Sequence, residues 1–315
     1  MKMRFLTFLA LVLLITFPAF GQAYMNDIVR DSARSDKLTG GRIEKTALAG
    51  GENNLRITIN VPAFQMTLWQ NGKEVKSYPI GVGLLDYPII IGRREASSIE
   101  WNPVWIPPSS DWIEKSSTVK PGEIILPTDP RNPLGKVKIP LGYGYLIHQA
   151  KGPGDMGSLV SHGCVRVMKS DLYDLAEKIV MARGLDVTPG QIAKAKRSKK
   201  TVTASLEPIV PVDITYDTMV IEGGQLHIYP DVYRYKKNTV ANLRRELISN
   251  GIDDSEISDA ALTKMIAAAT ARKQFVTEIS SVETGDALQT GKILPVLSGA
   301  SKPKVTPKQR KKIRG

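Results

Sequence analysis

Cys164 is the single cysteine of a 315-residue chain, and two of its three histidines, His148 and His162, stand within sixteen residues of it. The segment Ser161-His162-Gly163-Cys164-Val165-Arg166 therefore gathers most of the reactive side-chain types the chain possesses. A thiol with an ordinary pKa of about 8.5 is mostly protonated at neutral pH. A neighbouring imidazole can take that proton, and the resulting thiolate attacks carbonyl carbon. Either histidine can serve. His162 lies two residues before Cys164 and shares its face if the segment is extended. His148 ends the strand-like run Tyr145-Leu146-Ile147, where antiparallel pairing would lay it against Cys164. Gly163 removes a side chain beside the nucleophile, which permits close substrate approach and helps to aim N–H groups at a developing oxyanion. Arg166 suits a two-pronged grip on a substrate carboxylate.

The surrounding pattern is mainly β. Ile57, Ile59 and Val61 alternate with polar residues, as do Phe64, Met66 and Leu68. Asn71-Gly72 then predicts a tight hairpin turn into a strand over 73–83. Residues 91–140 are rich in proline, glycine, tryptophan and β-branched residues, so short strands and long loops are expected. A helix capped by Ser170, with Leu172, Leu175, Ala176 and Ile179 on one face, follows Cys164 and ends at Gly184. The boundaries predicted are a catalytic unit over 53–188, a basic linker over 189–204, a small β/α extension over 205–280 and a basic, disordered tail over 281–315. Within the extension, helices are expected near 239–250 and 258–273.

The start of the chain reads as a secretory signal peptide over 1–23. Lys2 and Arg4 precede an apolar run from Phe5 to Phe17, and Gly21-Gln22-Ala23 is a small-x-small cleavage pattern. A spacer over 24–52 follows. The apolar run is too short to anchor the mature chain, so no transmembrane anchor is expected after cleavage. The net charge of +12 is matched by five basic residues within 194–200 and seven within 302–314. Charge placed in a linker and a tail argues against a nucleic-acid partner, which would want basic residues along a folded face with interleaved aromatics. It suits attraction to anionic envelope polymers. One cysteine excludes an internal disulfide, and an unpaired thiol in an exported chain invites a functional explanation.

The order of residues brings in a family. His148 followed at set spacing by Ser161-His162-Gly163-Cys164, with Val165-Arg166 after it, resembles the L,D-transpeptidases, the YkuD-type cell-wall cross-linking enzymes. Asn102-Pro103-Val104-Trp105, Asn132-Pro133-Leu134-Gly135 and the opening hairpin are similar to the same family, over roughly 53–188. The resemblance implies a YkuD-like β-sandwich with short helices, a Cys164 nucleophile and a His148 base. It implies pocket roles for Ser161, His162 and Gly163, and substrate binding by Arg166 and Tyr145. The contact that orients the histidine ring would fall at Gln149. Two departures stand out: Gln149 replaces a common glycine, and the loop at Tyr87-Pro88 with Gly92 differs from the usual Thr-Pro-x-Gly. The implied partners are peptidoglycan stem peptides, as tetrapeptide donor and amine acceptor, and an envelope lipoprotein. The implied compartment is the periplasm. No cofactor is implied, and three histidines with only two close together make a poor metal site.

Other signals point elsewhere or nowhere. Ser117-Thr118-Val119-Lys120 matches Ser-x-x-Lys but lacks the partner motifs of penicillin-binding serine enzymes. Trp101, Trp105 and Trp112 suit either a core or a groove, and His227 sits in an alternating patch that reads as structural. The rival functions are a cysteine-dependent wall amidase or carboxypeptidase on the same fold, and a non-catalytic wall-binding protein. An intact Cys164, His148 and Gly163 argue against the second rival.

Overall fold

The computed structural model describes residues 54–299 apart from 184 and 186. The signal peptide and spacer expected over 1–52, the helix end expected at Gly184 and the tail beyond 299 lie outside the described residues. No described helix is long and apolar enough to cross a membrane.

The alternation read from the sequence builds the first hairpin. In β1 (Leu55–Asn60), Leu55, Ile57 and Ile59 are fully buried while Arg56, Thr58 and Asn60 are half-buried. β1 pairs antiparallel with β2 (Gln65–Gln70), which turns at Asn71-Gly72, φ 53° and 75°, into β3 (Lys73–Gly83). β4 (Gly92–Trp101), β5 (Val137–Pro140), β6 (Leu146–Gln149), β7 (Leu159–Ser161), β8 (Val165–Val167) and β9 (Val202–Thr215) complete the large sheet. Its order is β2-β1-β9-β4-β5-β6-β8-β3-β7, and β2 also pairs with β3, so the sheet closes on itself. The long β3 makes closure possible: its first half pairs with β2, while its end meets β8 and β7.

Three boundaries are corrected. The expected linker over 189–204 is instead a helix, Pro189–Arg197, followed by the start of β9. Thr188 and Gln191 form a reciprocal capping box at its start. Ile192 and Ala195 are buried in the main core, and the basic residues face outward, with Lys196 paired to Glu177. Asn102 holds this segment, donating to the Ala195 and Lys200 carbonyls at 2.8 and 3.0 Å. β9 then runs antiparallel to β4 and parallel to β1, so residues 202–215 belong to the large sheet rather than to an extension.

The second sheet, order β10-β11-β12-β13, comprises β10 (Met219–Glu222), β11 (Gln225–Ile228), β12 (Lys273–Glu278) and β13 (Lys292–Pro295). The helices Val240–Ser249 and Asp259–Ala268 are capped by Thr239 and Ser258. Leu243, Leu247, Leu262 and Met265 pack with Leu226, Ile228 and Phe275 into a separate apolar core. The second helix is shorter than expected, because residues 273–278 extend into β12. The expected tail is corrected over its first part: Lys292–Pro295 pairs with β12. The helix after Cys164 spans Lys169–Arg183 and buries the predicted face, but Ser170 lies inside its first turn rather than at the cap.

Candidate active site

β6 and β8 run parallel, with His148 opposite Arg166 and Ile147 opposite Val165. The antiparallel pairing expected for His148 is thus corrected, with a useful consequence. Direct neighbours across a sheet share a face, and residues two apart on one strand share it too. His148 and Arg166 therefore project to one side, where Cys164, just before β8, meets the Leu146 N–H and the Arg166 charge, while Ile147, Val165 and Val167 are fully buried on the other.

The turn before β8 aims the thiol. Ser161 ends β7, and its hydroxyl donates to the Cys164 carbonyl at 2.5 Å. Gly163 has φ +104°, a region that L side chains rarely adopt. A Cβ there would also strike the Tyr145 ring at 2.6 Å, so Tyr145 packs against the bare backbone of Gly163. Cys164 itself is partly exposed. Burial pushes its thiol up, whereas the Leu146 N–H and the Arg166 guanidinium pull it down.

His148 is 2% exposed. Burial holds its ring well below the ordinary imidazole value, Arg166 adds to this, and the Leu134 and Pro133 carbonyls oppose it. The ring is therefore neutral at neutral pH, which a general base requires. Its Nδ1 is buried with no partner of good geometry among the described residues. Carbonyls only accept, so those of Pro133 and Leu134 favour a ring N–H on their side. The orienting contact expected at Gln149 is corrected accordingly. The Gln149 carbonyl accepts from Arg166 at 3.2 Å, and its side chain accepts from the Lys136 N–H at 3.1 Å.

The carbonyls facing His148 are set by an excursion between β4 and β5, residues 102–136. It has its own apolar core of Trp105, Ile113, Val119, Ile125 and Leu134. Asn132 fixes its exit, donating to the Pro103 carbonyl at 3.0 Å and accepting from the Leu134 N–H at 3.0 Å. Arg166 is 8% exposed and also donates to the Pro133 carbonyl at 3.4 Å. A free two-pronged grip on substrate is thus not what its side chain offers; much of it is committed to the protein's own carbonyls.

His162 is exposed and held by aromatic rings. It stacks on Trp112 with ring centroids 4.2 Å apart and meets Tyr87 edge-on at 4.7 Å. The Tyr87 hydroxyl donates to Asp111 at 2.9 Å. Tyr87 is the site residue that sequence reasoning passed over: it was visible only as an altered loop. The tryptophans divide, Trp101 and Trp105 packing cores and Trp112 facing the site. Ser117 and Lys120 are exposed on the excursion, and His227 faces Gln274 at 3.0 Å inside the small sheet.

Residues 54–203 match the model of the YkuD family, the L,D-transpeptidase catalytic domain. Those residues are a YkuD-type domain. The YkuD match runs through the helix Pro189–Arg197 and into β9, in keeping with the corrected boundary. Over 130 residues the chain is 32% identical to the probable L,D-transpeptidase YbiS of Escherichia coli K12, covering 39% of this chain and 41% of that one. It is 28% identical over 127 residues to the probable L,D-transpeptidase ErfK/SrfK of Salmonella typhimurium, covering 39% and 40%. The chain thus spans about two fifths of the length of these curated relatives. Among solved structures, the catalytic domain of the Enterococcus faecium L,D-transpeptidase acylated by ertapenem aligns at TM-score 0.35 and 16% identity, covering 53% of this chain and all of that one.

Proposed function

We propose that this protein is a periplasmic L,D-transpeptidase that works through a Cys164 acyl-enzyme on peptidoglycan stem peptides. The supporting observation is a half-buried Cys164 immediately before β8, the strand whose Arg166 stands in register with the buried, neutral His148, inside a YkuD-type domain. His148 takes the thiol proton as sulfur attacks the carbonyl carbon of the third residue of a tetrapeptide stem. The N–H groups at Gly163 and Cys164 stabilise the oxyanion. The bond to the terminal D-alanine breaks, His148 returns the proton to the leaving amine, and a thioester remains. An acceptor amine then loses a proton to His148 and attacks the thioester, forming the new amide and releasing the sulfur. The acceptor is a second stem, giving a 3→3 cross-link, a lipoprotein lysine or a free D-amino acid. Ser161 and Gly163 shape the turn, and His162 with Trp112, Tyr87 and Tyr145 forms the aromatic border of the pocket.

Intact-protein mass spectrometry of the chain with a disaccharide-tetrapeptide tests this directly. A mass gain equal to the acyl-tripeptide, absent from Cys164→Ala, supports it, and product masses then name the acceptor. A folded, reduced protein that gives neither adduct nor product overturns it.

A further inference from the structure

The loop from Gly83 to Ile89 carries Tyr87 to the site, and its two ends are tied by a residue from outside the YkuD-type domain. The buried Tyr233 hydroxyl donates to the Gly83 carbonyl at 3.1 Å and accepts from the Ile89 N–H at 3.3 Å. Gly83 in turn lies directly against the Cys164 turn: a Cβ on Gly83 would stand 3.1 Å from the Gly163 Cα. We infer that Tyr233 is a positioning residue for Cys164, clamping the Gly83–Ile89 loop so that Gly83 seats the Gly163 turn and Tyr87 braces His162. This inference rests on the acyl-transfer proposal for its kinetic consequence, though not for its geometry.

The segment that presents Tyr233 is built for rigidity. The Tyr233 N–H donates to the Tyr216 hydroxyl at 2.6 Å, and that hydroxyl donates to Asp231 at 2.6 Å. Asp231 also accepts from the Tyr235 and Lys237 N–H groups. The Tyr216 and Tyr233 rings stack at 5.6 Å. Burial pushes the Tyr233 phenol far above its ordinary range, so it stays protonated and continues to donate. A second, independent brace comes from residues that flank β12 and β13 of the small sheet. Arg272 donates to Ser158 Oγ at 3.0 Å, and Leu297 packs over Gly157, both in the loop leading into β7 and Ser161. The C-terminal region thus touches both loops that flank the nucleophile turn.

The test compares Tyr233→Phe with the wild-type full chain, using two readouts on the sole thiol. One is the rate of acylation by the disaccharide-tetrapeptide at saturating substrate; the other is the rate of alkylation by iodoacetamide at neutral pH. A loosened loop misplaces the thiol for acyl transfer, lowering the first rate about tenfold or more. It also admits water to a thiol whose proton is held by burial, so alkylation rises several-fold. Opposed changes in a variant with unchanged far-UV circular dichroism support the inference. Tyr229→Phe, which removes a hydroxyl of the same region with no bond to the loop, leaves both rates as they were. The assignment falls if folded Tyr233→Phe keeps both wild-type rates, if both rates fall together with the folded fraction, or if Tyr229→Phe produces the same opposed changes. If the wild type is not acylated at all, the transpeptidase proposal fails, while alkylation alone still decides whether Tyr233 holds the turn.

Discussion

His148 sits in the sheet, almost wholly buried, with backbone carbonyls on one side and the Arg166 guanidinium near it, whereas His162 sits at the surface between the rings of Trp112 and Tyr87. Both flank the same thiol, and both have their protonated form disfavoured, chiefly by burial. The means of restraint differ. Nearby carbonyls and a sheet register favour one orientation of a ring and of its N–H. Aromatic stacking fixes the plane of a ring and leaves its nitrogens undirected. The first is what proton transfer needs, and the second is what shape and apolar contact need.

The sharpest way to break this contrast is to delete each ring in turn. His148→Ala is expected to slow Cys164 acylation by about 10³-fold, within the range for loss of a general base. His162→Ala is expected to cost only about tenfold, through a disturbed pocket. Single-turnover mass spectrometry measures both. Equal losses would mean that the two rings share the base role. Because Cys164 is the only thiol, the pH profile of its alkylation provides a second reading, and only His148→Ala should change the shape of that profile.

Arg166 links the two histidines, since its charge disfavours the protonated form of each while favouring the thiolate. Arg166→Met removes that charge and strips the Pro133 and Gln149 carbonyls of a buried donor. A loss of about 2–3 kcal/mol is expected in urea unfolding. Thiol pKa should rise, and thiol titration by absorbance at 240 nm reads this. A variant that is destabilised with an unmoved thiol would confine Arg166 to a structural role.

Much of this site was legible before any fold was known, because chemistry is written in residue types. One thiol, two nearby imidazoles and a glycine beside the thiol are facts of sequence, and alternation at Ile57, Ile59 and Met66 marks strands with a buried face. Strand direction is not written there: a period of two is the same for parallel and antiparallel neighbours, so alternation does not separate the parallel β6–β8 pairing from the antiparallel one expected. The charge of residues 194–200 hid the pair Ile192 and Ala195, which at three-residue spacing anchors a helix to the core. Tyr233 could not be found at all, since its partners are backbone atoms some 150 positions away. Asn102→Ala probes the second of these errors. It removes the Asn102 donor from the Ala195 and Lys200 carbonyls, leaving Ala195 only its Ser198 N–H, and about 1–2 kcal/mol of stability should go with them. Because Asn102 also sits at φ 48° and accepts from Lys136, the deciding partner is Ile192→Ala: a true linker at 189–204 would tolerate it, whereas burial of Ile192 in the main core makes it costly.

The last difference between the two histidines is their effect on stability against pH. The folded pKa of His148 lies below the value near 6.5 that an unfolded chain gives it. Between those two values the unfolded state binds the extra proton, so stability falls as pH is lowered from about 6.5 towards the folded pKa. One such proton gives a slope of at most about 1.4 kcal/mol per pH unit. Above pH 6.5 the contribution is flat, because both states are neutral. His162 is shifted in the same direction but is exposed, so its share should be far smaller. Thermal unfolding at pH 7.5, 6.5, 5.5 and 5.0 is therefore expected to show an acid loss that His148→Gln flattens and His162→Gln barely alters. If His162→Gln flattened it equally, the two rings would be equally desolvated, and the contrast between a sheet-held base and a ring-held wall would have to be abandoned.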